Sequence, residues 1–275
     1  MHDASAGAAA RRNAGVSNAI VAVTLFPAEQ PMTPLPAPTA RPMLTVEIWS
    51  DLICPWCWIG KRRFDDALAA FPHAQHVDVV LRAYRLMPGQ PVEPVEAMLA
   101  GKYRMSAAQV DQMLRQVTDA AASVGLRYDL PGTLVGDTLD AHRVVKLGQA
   151  TGHAHALTER LYRAYFCEHG ALFDHAALTD FAVEAGLERA AVEATLRSDA
   201  YRDEVEADVA RAAQIGGRGV PLFVFGGRYA VSGAQPVDVF AQALERAWHD
   251  GASVAFHGDD AAACGPDGCE LPPRA

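Results

Sequence analysis

The element pattern of this sequence predicts an α/β protein: a mixed four-stranded sheet carrying a large all-helical insertion. A strand, a helix and a second strand occupy residues 43–90, and helical periodicity then runs through residues 91–202. β character returns only towards the C-terminus, as two short strands about a glycine pair. Consecutive strands joined by a helix pair in parallel, while strands joined by a tight turn are antiparallel, so the sheet is mixed.

"MLTVEIWSD", Met43 to Asp51, alternates apolar and polar residues and is β-branched enough for a strand, which Ser50 and Asp51 close. From Pro55 to Phe71 the apolar positions Trp58, Ile59, Phe64, Leu68 and Phe71 recur near helical spacing. "HVDVVLRAYRL", His76 to Leu86, is a second strand, stopped by Pro88 and Gly89. In the helical middle, Ser106 and Gln109 make a capping box and Gly125 a C-terminal stop. Further helices are expected over Leu139–Gln149 and Ala154–Cys167, then one capped by Asp174 and ended by Gly186, then Asp203–Ile215. "VPLFVFGGRYAVSG" is a hairpin turning at Gly226-Gly227, and Pro236–Asp250 is a final amphipathic helix. Five segments follow: 1–42, a disordered Ala- and Pro-rich extension; 43–90, a β-α-β half; 91–202, the insertion; 203–255, a second half of helix, hairpin and helix; and 256–275, a flexible tail.

Composition narrows the function. The 275 residues carry a formal charge of −9, so no general nucleic-acid surface is expected, since phosphate binding needs a concentrated basic face. "GKRRF", Gly60 to Phe64, reads as a solvated helix face. No stretch has the length of a membrane span, and the apolar run Ala19–Phe26 after Arg11 and Arg12 is short for a signal peptide. A cytoplasmic protein is therefore expected, with periplasmic export the lesser alternative. The histidines form no metal spacing: His153 and His155 point to different sides of a helix, and His142, His169 and His175 lie in separate elements, in solvated or capping roles. "GGRG", Gly216 to Gly219, follows a helix and precedes a proline, which is not the setting of a phosphate loop.

Five cysteines are too few for a disulfide-built fold, so their placement carries the information. Cys54 and Cys57 form a C-x2-C, Cys264 and Cys269 a C-x4-C, and Cys167 reads as a small buried hydrophobe. Cys54 falls where a strand ends and a helix begins, with Pro55 marking the first helical turn. Unsatisfied backbone N–H groups and the positive end of the helix dipole favour a thiolate there, and the thiolate is the form that attacks disulfides. Cys57, one turn deeper on the same side, can reach back and resolve a mixed disulfide. Pro221, just ahead of a strand in "GVPLF", suits a cis Val220–Pro221 peptide whose exposed backbone would pair with an extended substrate chain.

The chain resembles the DsbA-like branch of the thioredoxin-fold oxidoreductases, most closely its FrnE-type members. "SDLICPWCWIGKRRF", "GVPLFVFGGRYAVSGAQ", "AHRVVKLG" and "LYRAYF" carry the resemblance, which spans about Leu44 to Asp250. It implies a thioredoxin fold with a helical insertion, Cys54 as nucleophile, Cys57 as resolving thiol and Pro221 as the cis proline facing them. It further implies a thiol–disulfide oxidoreductase or isomerase with no bound cofactor beyond the redox-active disulfide. Protein clients bearing disulfides or thiols would be its partners, with glutathione or a thioredoxin-type protein as reductant. Some FrnE-type members carry a tail C-x4-C that exchanges disulfides with the main pair, and Cys264 and Cys269 fit that pattern. Between the cysteines stand Pro55 and Trp56; Trp56 lacks the charge of an imidazole, so a less oxidising pair is expected, with Trp56 offering apolar contact to a peptide.

Two alternatives remain at this point. The four cysteines of the two pairs suffice for a tetrahedral zinc site, although zinc knuckles usually lie on hairpin turns rather than at a helix start. Kappa-class glutathione transferases and hydroxychromene-carboxylate isomerases resemble the chain in "VPLFVF", but there a serine usually stands near the position of Cys54 and serves the glutathione thiol.

Overall fold

The structure, a computed structural model, describes residues 44–249 together with 255–257, 264–265 and 268–269. The extension over residues 1–42 lies outside the described residues. The elements that frame the sheet are β1 (Leu44–Ser50), α1 (Pro55–Ala70), β2 (Val77–Ala83), and then, within the insertion, β3 (Glu93–Pro94), α2 (Val95–Tyr103), α3 (Ala107–Ala122) and β4 (Leu134–Val135). α4 (Leu139–Thr151), α5 (Ala154–Glu168), α6 (His175–Glu184) and α7 (Arg189–Leu196) complete the insertion. The chain returns through α8 (Arg202–Gln214), β5 (Leu222–Phe225), β6 (Tyr229–Ser232), α9 (Val237–His249) and β7 (Ala255–His257).

The expected mixed four-stranded sheet is present in the order β2-β1-β5-β6, with β1 parallel to β2 and antiparallel to β5. β7 adds a fifth strand, parallel to β6, in a segment that overlaps the supposed flexible tail. An open β6 edge presents unpaired N–H and C=O groups, which three extended residues suffice to meet. The insertion is also not wholly helical: β3 and β4 form a two-residue antiparallel ribbon, too short to show any period in sequence.

Alternation along β1 sorts its side chains between two cores. Leu44, Val46 and Ile48 pack with Phe223 and Phe225 under α1 and α9, where Phe64, Phe223 and Phe240 meet with ring centroids 4.6 to 6.0 Å apart. Trp49, Leu222 and Val224 face the insertion instead. On that side α8 is fastened by charge. Asp208, almost fully buried, accepts from Arg82 at 3.1 Å and Ala83 N at 2.9 Å and pairs with Lys146. Trp49 Nε1 donates to Asp208 O at 2.8 Å, and Arg82 and Arg211 both grip Glu47. Three donors on one buried carboxylate offset its desolvation.

The run Gly60 to Phe64 departs from a solvated face. Lys61 is buried and ion-pairs with Asp65 at 2.7 Å and Glu159 at 3.0 Å, and Arg63 donates to Ala234 O. The Lys61 stem is buried while its head finds two carboxylates, whereas the Arg63 head finds a carbonyl. Cys167 is half-buried against the core rather than enclosed.

Candidate active site

Cys54 is the N-cap of α1, in an extended conformation, with Pro55 at the first helical position. A turn from Asp51 O to Cys54 N, 3.1 Å, ends the strand and swings the chain into the helix. Cys57 N donates to Cys54 O at 3.0 Å, and the two cysteines lie 3.4 Å apart as free thiols. Burial, and then the contact with Cys54, push the Cys57 thiol well above its ordinary range, so Cys57 is held protonated beside its neighbour.

The Val220–Pro221 peptide is cis and faces this pair: Cys54 Sγ lies 3.7 Å from Val220 O. Gly60, one turn beyond Cys57 on α1, makes the approach feasible, since a Cβ there would stand 3.0 Å from Pro221 Cγ. Cys54, Cys57, Pro55, Trp56, Val220 and Pro221 thus converge from two ends of the chain. Trp56 is buried at 3 % exposure. With Pro55 it walls a cavity holding about 90 Å³ of free space, lined also by Met87, Met98 and Met113 and touched by Gly265.

Cys264 and Cys269 are register partners in a two-residue hairpin, β8 (Cys264–Gly265) and β9 (Gly268–Cys269). Gly265 packs so closely on the segment leading to Pro221 that a Cβ would fall 2.6 Å from Arg218 O.

Three neighbours escaped the sequence reading. Asp51, fully buried, accepts from Leu86 N at 2.7 Å, and His142 brings Nε2 to 3.6 Å from its carboxylate. His142 is therefore a buried partner of the turn before Cys54 and not solvated. Tyr128, also buried, donates to Pro55 O at 2.9 Å. Nothing in their local sequence marks them; only Asp51, inside the cysteine motif, had a positional hint. No group of three metal-ligating side chains occurs among the described residues.

A match to the DSBA-like thioredoxin domain covers residues 45–245. The chain belongs to the DsbA-like thioredoxin family. Among solved structures, the probable DsbA oxidoreductase SCO1869 from Streptomyces coelicolor is 45% identical, covering 84% of this chain and 100% of that one at a TM-score of 0.74. The cytosolic disulfide reductase DsbM from Pseudomonas aeruginosa with GSH is 19% identical, with 73% and 97% covered and a TM-score of 0.52. A 2-hydroxychromene-2-carboxylate isomerase is 15% identical, with 74% and 95% covered and a TM-score of 0.55. The last two share the fold with this DsbA-like chain. No helix among the described residues is long and apolar enough to cross a membrane.

Proposed function

We propose that this DsbA-like protein is a thiol–disulfide oxidoreductase for protein clients, with Cys54 as nucleophile and Cys57 as resolving thiol. The observation that carries it is the free thiol pair, 3.4 Å apart at a helix N-terminus, with Cys54 against Val220 O. In the reducing direction, Cys54 thiolate attacks one sulfur of a client disulfide. A mixed disulfide forms, and the second client sulfur leaves as thiolate and takes a proton. Cys57 then gives up its proton and attacks Cys54 Sγ, releasing the first client sulfur; the client gains two electrons and the pair becomes a disulfide. The protonated state of Cys57 suits this order, because it does not compete for the first attack. Run backwards, the same steps oxidise a client dithiol.

The cavity beside Trp56 suits one large apolar side chain flanking the client cysteine. Glutathione or a thioredoxin-type protein would recycle the pair. The hairpin bearing Cys264 and Cys269 supports a relay, since Gly265 abuts Arg218, two residues from Val220, and a tethered pair has a high local concentration. Thiol status mapped by peptide across a glutathione series, on metal-stripped and untreated protein, tests this. Joint conversion of Cys54 and Cys57 at one midpoint is expected, followed by coupled behaviour of the tail pair. Cys54→Ser should abolish exchange while the fold survives; four thiols that stay reduced under zinc protection would replace the redox reading with a metal one.

A further inference from the structure

One hydrogen bond from the insertion ends on the peptide between the two cysteines, where the exchange chemistry gives it no role: Tyr128 Oη donates to Pro55 O at 2.9 Å. The ring is stacked on Trp58 at 5.7 Å and on Phe166 at 4.6 Å, and Asp129 N donates to Phe166 O at 2.7 Å, tying this loop to α5. Burial, and then the charge at Cys54, push the phenol well above its ordinary range, so it remains a donor at any working pH.

What that donor touches matters. The carbonyl of Pro55 and the N–H of Trp56 belong to one planar peptide unit. Pro55 has no N–H, and the N–H of Cys57 is directed at Cys54 O. The Cys54 side chain makes no cap hydrogen bond while its thiol is directed at Val220 O; once that proton is lost, the N–H of Trp56, at the second helical position, is the first-turn donor left for the N-cap sulfur. A carbonyl has two lone pairs, so the Tyr128 bond adds to the helical one rather than replacing it. A donor on the carbonyl end polarises the peptide and strengthens its N–H in turn.

We propose that Tyr128 is a positioning residue for the redox pair: through the Pro55–Trp56 peptide it holds and strengthens the amide that is available to negative charge formed on Cys54 Sγ. The insertion thereby sets how readily the pair is oxidised. The disulfide form carries no such charge, so losing the hydroxyl weakens only the reduced form. This rests on Cys54 and Cys57 being a redox pair.

Tyr128→Phe keeps the ring stack and removes the donor. In the glutathione series its reduced-to-disulfide ratio should shift roughly 2- to 10-fold towards the disulfide, the range of one neutral hydrogen bond. Tyr165→Phe is the comparison, since its hydroxyl donates to Leu134 O at 2.7 Å and its loss removes a similar bond elsewhere. That variant should lose stability without moving the ratio. An unmoved Tyr128→Phe in a wild-type background that converts normally, or an equal shift in Tyr165→Phe, overturns the inference alone. A wild-type pair that never converts overturns the redox reading, and this inference with it.

Discussion

Replacing Gly60 by alanine tests whether the closeness of α1 to the cis proline matters for chemistry as well as packing. A Cβ at Gly60 would lie 3.0 Å from Pro221 Cγ, 3.3 Å from Ala234 Cα and 3.4 Å from Ala234 Cβ. Neither neighbour retreats easily, because Gly233 N donates to Pro221 O at 2.8 Å and Arg63 to Ala234 O at 2.5 Å. In an open helix, Gly→Ala gains about 1 kcal/mol from the backbone, whereas overpacking a core costs about 1–3 kcal/mol. The net expectation is a change from near zero to a loss of about 2 kcal/mol, the difference of those two terms. Val220 O moves with Pro221, so the 3.7 Å approach to Cys54 Sγ is lost and exchange should slow more than stability falls. Gly101→Ala in α2 is the reference, since nothing lies within 4 Å of its Cβ position and the full helical gain of about 1 kcal/mol should appear. Urea unfolding and the rate of reducing a protein disulfide, measured on both variants, decide it. If Gly60→Ala is stabilised as much as Gly101→Ala and exchanges at the wild-type rate, the steric argument is wrong.

Asp208→Ala leaves Lys146 and Ala83 N without their buried acceptor and should cost about 3–5 kcal/mol in urea unfolding, whereas a loss under 1 kcal/mol would deny the clamp its role. Burial would raise the Glu47 carboxyl, but hydrogen bonds from Arg211 and Arg82 outweigh it and hold the group below its ordinary range. Its contribution is then fully present above the unfolded value of about 4.3 and is lost as pH falls through the lower folded value. Glu47→Gln should therefore flatten the acid limb of a stability–pH curve, and a limb of unchanged slope would contradict the assignment. Met98→Glu, in the wall of the cavity, should raise KM for a protein disulfide with an apolar flank and spare exchange with glutathione disulfide. Equal effects on both substrates would remove the cavity from client binding.

The parts of this molecule that were legible in sequence are those governed by local rules. Pro55 at the helix start, the alternation of Leu44 to Ser50, the Ser106–Gln109 capping box and the Gly226-Gly227 turn all reappear where chain chemistry puts them. Helices α2 and α7 were missed because each is short and lacks an N-cap side chain that bonds the first turn. Lys61 and His142 were misjudged for another reason. Their partners Glu159 and Asp51 lie far away along the chain, so no window of sequence could show that the charges are buried together. The cysteine pair was legible because two nearby residues and a proline define it, whereas Tyr128 reaches the motif only by a fold-made contact.

The site is assembled from pieces synthesised at very different times. Cys54 and Cys57 leave the ribosome early, while Val220 and Pro221 follow only after the whole insertion and α8. At about 5–20 residues per second, translation of the intervening segment takes on the order of ten to thirty seconds. β1 can meet β2 during that interval, but its other edge stays bare until β5 emerges. A nascent chain therefore displays two thiols with no opposing loop, and the cell that makes this protein must tolerate or protect that exposure each time it does so.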